Sequence, residues 1–297
     1  MKMLFIIGCG DLGARVANLA SQANIAVTAL VRSEARAVRL REQGITTIQG
    51  DLDDPVTLPE LPTKGATVLY LVPPPGGGLT DPRARSFCRA IAAGNEPDRF
   101  VYLSTTAVYG DQGGETVTEE SATAPGSSRG KRRLDAETAI KTWCVDHAVP
   151  VIFLRVAAIY GPGRIPLHHL KNGHPLLNED EAPLSNRIHV DDLAQVCLAA
   201  LHKGDSGDIF NVSDGQPTTL TAYFNLLSDQ LGLPRLPQVS LAEARAVMAP
   251  LMYSYFTESK LVDNRKMLTR LGIALRYPSI AEGVATIVDG MEAGLAE

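Results

Sequence analysis

The stretch Met3-Leu4-Phe5-Ile6-Ile7-Gly8-Cys9-Gly10-Asp11-Leu12-Gly13-Ala14 decides the fold. Its apolar run suits a buried strand, and the alanine-rich segment that follows, from Ala14 to Ala20, has helical character. Between them stands G-x-G-x-x-G, in the strand, loop and helix context that lifts this pattern above chance. Each glycine has a physical task. Gly8 permits a tight turn, Gly10 lets a pyrophosphate approach the backbone, and Gly13 lets helix and strand pack closely. The helix start then presents free N–H groups and the positive end of its dipole to phosphates. The stretch reads as a dinucleotide-binding loop with Gly8, Gly10, Asp11, Leu12 and Gly13 as contacts. The plainer alternative is a glycine-rich turn without a ligand.

Outward from the loop, a β-rich run at residues 25–31 ends in Val31-Arg32-Ser33. NAD-selective sites place an acid about 20 residues beyond the glycines, on the ribose hydroxyl. Here Arg32 stands in that place, and an arginine suits a 2′-phosphate. NADP(H) is therefore the expected cofactor, with NAD(H) still open, and Arg36 is a second candidate contact. Runs at 45–50 and 67–72 lead to Asp51, Leu52 and Val72. These are expected contacts too, because open α/β sheets bind ligands at the carboxyl ends of their strands. Pro73-Pro74-Pro75-Gly76-Gly77-Gly78 follows, a stiff and then a flexible segment. It fits a ligand edge and a plain surface loop equally well. Further strands at 99–104 and 149–156 alternate with helical patterns at 34–43, 81–93 and 129–147. That alternation predicts an α/β fold with a doubly wound parallel sheet of the Rossmann type.

Composition narrows the function classes. The 297 residues suffice for a substantial core, with 45% apolar and 21% charged residues. A net charge of −5 supplies no broad basic field. This weighs against nucleic acid or an anionic membrane as a partner. Cys9, Cys88, Cys144 and Cys197 are far apart, so they read as free thiols in a reducing compartment, with Cys9 at an accessible place in the loop. His168, His169 and His174 lack partners at metal spacing, and no metal is expected. No leader pattern or membrane-length run is evident, and the cytoplasm is the default location.

Several further stretches, in order, carry a resemblance. They are residues 104–110 (Ser-Thr-Thr-Ala-Val-Tyr-Gly), 154–163, Arg187-Ile188-His189-Val190-Asp191-Asp192 and Phe210-Asn211-Val212-Ser213-Asp214-Gly215. Ser259-Lys260, Leu271-Gly272, Tyr277-Pro278-Ser279 and Glu282-Gly283 complete the set. With the glycine loop, the chain resembles the extended short-chain dehydrogenase/reductases, in particular their NAD-dependent epimerase/dehydratase branch. The resemblance implies a Rossmann domain at 1–160 and 185–215 and a smaller substrate domain at 161–184 and 216–297. It implies a small-molecule substrate between them, often a nucleotide-sugar, and it is compatible with a homodimer.

The family's chemistry uses Tyr-x-x-x-Lys on one helix and a Ser or Thr from the fifth strand. Thr105 occupies the last of these places. Arg129 falls at the tyrosine position and Arg133 at the lysine position, and residues 111–141 contain no tyrosine. Arginine does not exchange protons in proteins. Arg129 and Arg133 are therefore expected to contact an anion, with Arg133 also near the cofactor, while Lys131 and Arg132 read as a solvated basic face. Tyr109 and Tyr160 read as structural, His189 as a packing or helix-start residue, and Asp191 or Asp192 as an N-cap. Two functions follow. One is an NADP-preferring oxidoreductase or epimerase/dehydratase-like enzyme with a non-standard proton donor, Thr105 being a candidate. The other is a non-catalytic NADP(H) sensor.

Overall fold

The computed structural model describes residues 1–294. Seven parallel strands form one sheet: β1 (Met3–Ile7), β2 (Ala26–Val31), β3 (Thr46–Gln49), β4 (Ala66–Tyr70), β5 (Arg99–Thr105), β6 (Val151–Val156) and β7 (Ile209–Val212). Their order is β7-β6-β5-β4-β1-β2-β3, so the chain reverses direction across the sheet between β1 and β4. Such a switch point opens a crevice at the carboxyl ends of the strands.

The apolar strands are buried on both faces, as a parallel sheet requires. Side chains alternate along β1. Leu4 and Ile6 join a core with Val16, Ala17 and Ala20 of α1 (Asp11–Gln22), while Phe5 and Ile7 join a second core on the opposite face. In order after α1 come α2 (Glu34–Glu42), α3 (Pro82–Ala90), α4 (Ser128–Asp146) and α5 (Val190–Lys203). Helix α5 shares the first core through Leu193, Val196 and Cys197, and α3 and α4 supply Phe87, Ala136 and Ile140 to the second. A third core gathers Tyr160, Leu176 and Leu177 with Tyr223, Phe224 and Leu227 of α6 (Leu220–Gln230). Helix α7 (Arg265–Leu271), which the sequence assigns to the second unit, packs Met267 and Leu271 into the first core instead. Helix α8 (Ile280–Gly294) adds Val284 and Ile287 to the third. No helix among the described residues is long and apolar enough to cross a membrane.

Several local readings need correction. The N-cap of α5 is His189, whose Nδ1 accepts the Asp191 N–H at 3.2 Å, and neither aspartate caps it. Asp192 is fully buried and accepts the backbone N–H groups of Arg276 and Tyr277 at 2.7 and 2.9 Å, tying the C-terminal segment to α5. Asp191 pairs with Arg15. Cys9 is not accessible: it is buried, and desolvation pushes its thiol up to about 11. His168 and His169 lie in a short helix, Leu167–Lys171, and both rings lie near that of His174.

Helix α4 is locked to β6 by a buried ion pair. Arg155 donates to Glu137 at 2.9 and 3.2 Å, and its guanidinium lies 4.9 Å from the Tyr109 ring centroid. The Tyr109 hydroxyl donates to Asn211 Oδ1 at 2.7 Å. Both members of the ion pair are less than 9% exposed. Removing one partner would leave the other charge buried and unpaired. Glu137→Ala is therefore expected to lower unfolding free energy by about 3–5 kcal/mol in urea titrations. An effect well under 1 kcal/mol would show that the pair is not buried in solution.

Candidate functional site

Two neighbouring cavities lie at the carboxyl edge of the sheet. The same two segments line both. Leu103 and Ile159 face the larger cavity, and Thr105, Ala157 and Ala158 face the smaller.

The larger cavity, about 640 Å³, is built on the glycine loop. Gly8 has φ +88°, and a Cβ there would lie 2.5 Å from Val72 Cγ2, so only glycine fits. A Cβ on Gly13 would come within 3.2 Å of Cys9 Sγ and the Gly8 carbonyl, which reflects the close seating of α1. Gly10 differs from both. Its φ is −77°, and a Cβ would meet nothing within 4 Å, so the approach to its backbone is open. Gly8, Gly10, Asp11, Leu12, Gly13, Arg32, Asp51, Leu52, Val72 and Arg133 all line this cavity.

Arginines organise its rim. Arg36 donates to the carbonyls of Cys9 and Gly10 at 2.8 and 2.7 Å, spending these donors on the loop where the sequence suggested a ligand contact. Arg32, beside it, is exposed; its carbonyl accepts from Gln49 Nε2 at 3.3 Å, while its guanidinium makes no hydrogen bond or ion pair among the described residues. Asp11 receives Arg15 at 3.0 Å and Arg164 at 2.9 Å, which ties the loop after β6 to the start of α1. Arg83 grips Asp53 at 2.6 and 2.7 Å and the Pro73 carbonyl at 2.9 Å, and this guanidinium holds the Asp53 carboxyl below its usual range. Sequence reasoning missed Arg83 and Arg164, since both reach the cavity only through tertiary contacts. The Pro-Gly segment divides its roles: Pro73 lines the cavity, while the Gly77 and Gly78 carbonyls accept from Arg132 at 3.4 and 3.0 Å. Arg132 is thus a tether and not a solvated face.

The smaller cavity, about 310 Å³, brings together Thr105, Arg129, Asn186, Tyr255, Glu258 and Lys260. Arg129 and Arg133 stand one turn apart on α4 but serve different cavities. Arg129 is exposed, donates to the Tyr255 hydroxyl at 3.2 Å and stacks 5.0 Å from its ring centroid. Arg133 donates to the Leu103 carbonyl at 2.9 Å and to the Tyr102 hydroxyl at 3.1 Å. Thr105 Oγ1 accepts the Ala107 N–H at 3.3 Å. Lys260, which the sequence offered only as part of a motif, has its side chain 9% exposed, with Glu258 at 3.7 Å. Burial is the largest influence on its ammonium and pulls its pKa down, against the attraction of Glu258. Tyr109 and Tyr160 are buried structural phenols, Tyr160 donating to the Ser279 carbonyl at 3.1 Å.

Residues 4–213 match the NAD dependent epimerase/dehydratase family. The chain belongs to that family. Among curated relatives, a low-salt glycan biosynthesis protein, Agl12 of Haloferax volcanii, is 25% identical over 40% of this chain and 41% of its own length. The chain aligns with less than half the length of the curated relatives it matches first. Among solved structures, a functionally unknown conserved protein from Silicibacter pomeroyi is similar at TM-score 0.83 and 29% identity, over 97% of this chain and 99% of that one. UDP-glucose 4-epimerase of Thermotoga maritima, solved with UDP-glucose, is similar in fold at TM-score 0.77 and 18% identity, over 99% of each chain.

The loop geometry separates binding from stability. Gly10→Val has room for its Cβ and needs no left-handed backbone, so its melting temperature should stay within about 2 °C of wild type, on the scale of roughly 0.5 kcal/mol for a tolerated substitution. Its side chain would occupy the approach that a dinucleotide needs. Loss of nucleotide-induced thermal stabilisation with an unchanged melting temperature is the expected result. Full retention of binding would remove the loop from the site.

Proposed function

We propose that the chain is an NADP(H)-preferring oxidoreductase or epimerase/dehydratase-like enzyme acting on a nucleotide-sugar or another small carbonyl or hydroxyl compound. Gly8, Gly10, Asp11, Leu12, Gly13, Arg32, Asp51, Leu52, Val72 and Arg133 would hold the cofactor. When bound, its nicotinamide supplies the means to accept or return a hydride. The substrate would enter the smaller cavity, against Thr105, from a unit built of residues 161–184 and 216–297. The UDP-glucose in the Thermotoga maritima epimerase is the basis for naming a nucleotide-sugar first.

Arg32 carries the NADP preference. Its guanidinium stands at the end of β2, on the wall of the larger cavity; Asp53, whose carboxyl feels its charge, is gripped by Arg83, and Glu34 is taken up by Arg41. A planar fork of donors without a partner suits a 2′-phosphate, and no carboxylate stands in its place to receive a ribose hydroxyl.

A second reading is favoured by Arg129 and Arg133 themselves. Neither exchanges protons, and Arg133 is committed to the Leu103 carbonyl, so a protein that senses NADP(H) without turnover is consistent with the same cavity. Such a sensor must discriminate oxidised from reduced cofactor, because a ligand biases an equilibrium only through differential affinity.

Thermal-shift titration of cofactor-stripped protein with NADPH, NADP⁺, NADH and NAD⁺ tests both. A ligand at about 100 times its Kd adds roughly 2.7 kcal/mol, several degrees in this size range. A shift with the phosphorylated pair, reduced to the level of the other pair by Arg32→Ala, is expected. No shift with any of the four would sink the cofactor reading. Turnover on a panel of sugar nucleotides, ketones and aldehydes would exclude the sensor.

A further inference from the structure

We propose that Lys260 is the proton carrier of the smaller cavity, exchanging a proton with the substrate oxygen that Thr105 holds. The inference rests on the enzymatic reading above and fills the vacancy left by Arg129 at the tyrosine position. Lys260 and Thr105 line one cavity from opposite ends of the chain, beside the cavity assigned to the cofactor. The ammonium is buried and pairs with Glu258 at 3.7 Å, a long and weak contact. It therefore retains donors for a substrate oxygen.

The segment that carries Lys260 is clamped. Asn186 Nδ2 donates to the Lys260 carbonyl at 2.8 Å, and Val262 N–H donates to Asn186 Oδ1 at 3.0 Å. Ser259 N–H donates to Asp111 at 2.8 Å, and the strand Leu261–Val262 pairs with Thr116–Val117. A group held this firmly is preorganised for chemistry. Three charged groups act on it. Burial and the Arg129 charge favour the neutral amine, while Glu258 and Asp111 favour the ammonium, and burial is the largest influence. The net displacement is toward an amine that can take a proton closer to neutral pH.

The phenols are worse placed. Tyr109 and Tyr160 are buried and spend their hydroxyls on Asn211 and Ser279. Tyr255 lies at the rim, 42% exposed, with Arg129 donating to its oxygen. In the oxidative direction the substrate O–H bond breaks and its proton passes to neutral Lys260 Nζ. The hydrogen on the same carbon leaves with its electron pair to the oxidised nicotinamide, so a carbonyl forms as the nicotinamide is reduced. The reverse reaction returns the proton from the ammonium.

The test is an NMR pH titration of the full chain labelled with [13Cε]lysine, with the Lys260 signal assigned by its absence in Lys260→Arg. The midpoint for Lys260 is expected clearly below that of exposed Lys64 and Lys131. A midpoint that coincides with theirs would overturn the proposal, with or without cofactor binding. The variants add a readout that a structural role would not move. Turnover detected in the substrate panel should be lost in Lys260→Met and not rescued by Lys260→Arg, while both still show the NADPH thermal shift. Rescue by arginine would mean that only the charge matters. Loss in Tyr255→Phe with retention in Lys260→Met would assign the proton to the rim phenol. Either result overturns the proposal; failure of the thermal shift in wild type strikes the cofactor reading and the hydride half of this step with it, and is told apart from failure at Lys260 by the lysine titration, which needs no cofactor.

Discussion

The approach of Gly8 to Val72 governs the carboxyl edge of this sheet. At 2.5 Å from Val72 Cγ2 there is no room for a Cβ, so β1 and the segment after β4 close on each other only because residue 8 is glycine. That contact sits at the switch point between β1 and β4. It fixes where α1 starts, and so where the free N–H groups of its first turn are aimed. Arg36 then pins the loop from the side of β2 by binding the Cys9 and Gly10 carbonyls. Loop shape is thus set by one steric constraint and one bidentate tether, and the open face at Gly10 is what remains for a ligand.

Around this loop the chain relies on guanidinium groups. Arg15, Arg164, Arg83 and Arg132 bind carboxylates or carbonyls across elements distant in sequence. Exposed pairs of this kind contribute little stability each. Their effect is positional: each planar fork fixes two directions at once. The buried Arg155–Glu137 pair is different, because loss of either partner strands a charge. Permanently charged groups can hold a cavity in shape, yet they cannot move protons. The burden of acid–base chemistry in any turnover therefore falls on the remaining titratable side chains, and Lys260, buried in the cavity that Thr105 lines, is the one proposed to carry it.

The two cavities share walls, and this gives the arrangement its functional sense. Leu103 and Thr105 belong to one strand, and Ala157, Ala158 and Ile159 to one segment, with Leu103 and Ile159 on the larger cavity and Thr105, Ala157 and Ala158 on the smaller. A cofactor in one and a substrate in the other would meet across β5. Membership of the NAD dependent epimerase/dehydratase family agrees with that layout.

Much of the fold was legible in local pattern. Apolar runs, glycine spacing and helix periodicity specify strands and turns within a few residues, because those are short-range steric and burial constraints. The ten residues expected around the cofactor all reach one cavity, since strand ends in a parallel sheet converge on the same edge. Side-chain partners were not legible. His189 took the N-cap from its acidic neighbours, Arg132 turned to a glycine loop, and helix α7 returned to the first core, all through contacts between distant segments. The sequence by itself determined the parallel sheet, the glycine loop and the absence of a tyrosine at the usual place. Only the tertiary structure decided that Arg129 and Arg133 face different cavities and that Lys260 joins Thr105, because burial and proximity of charges depend on which segments the fold brings together.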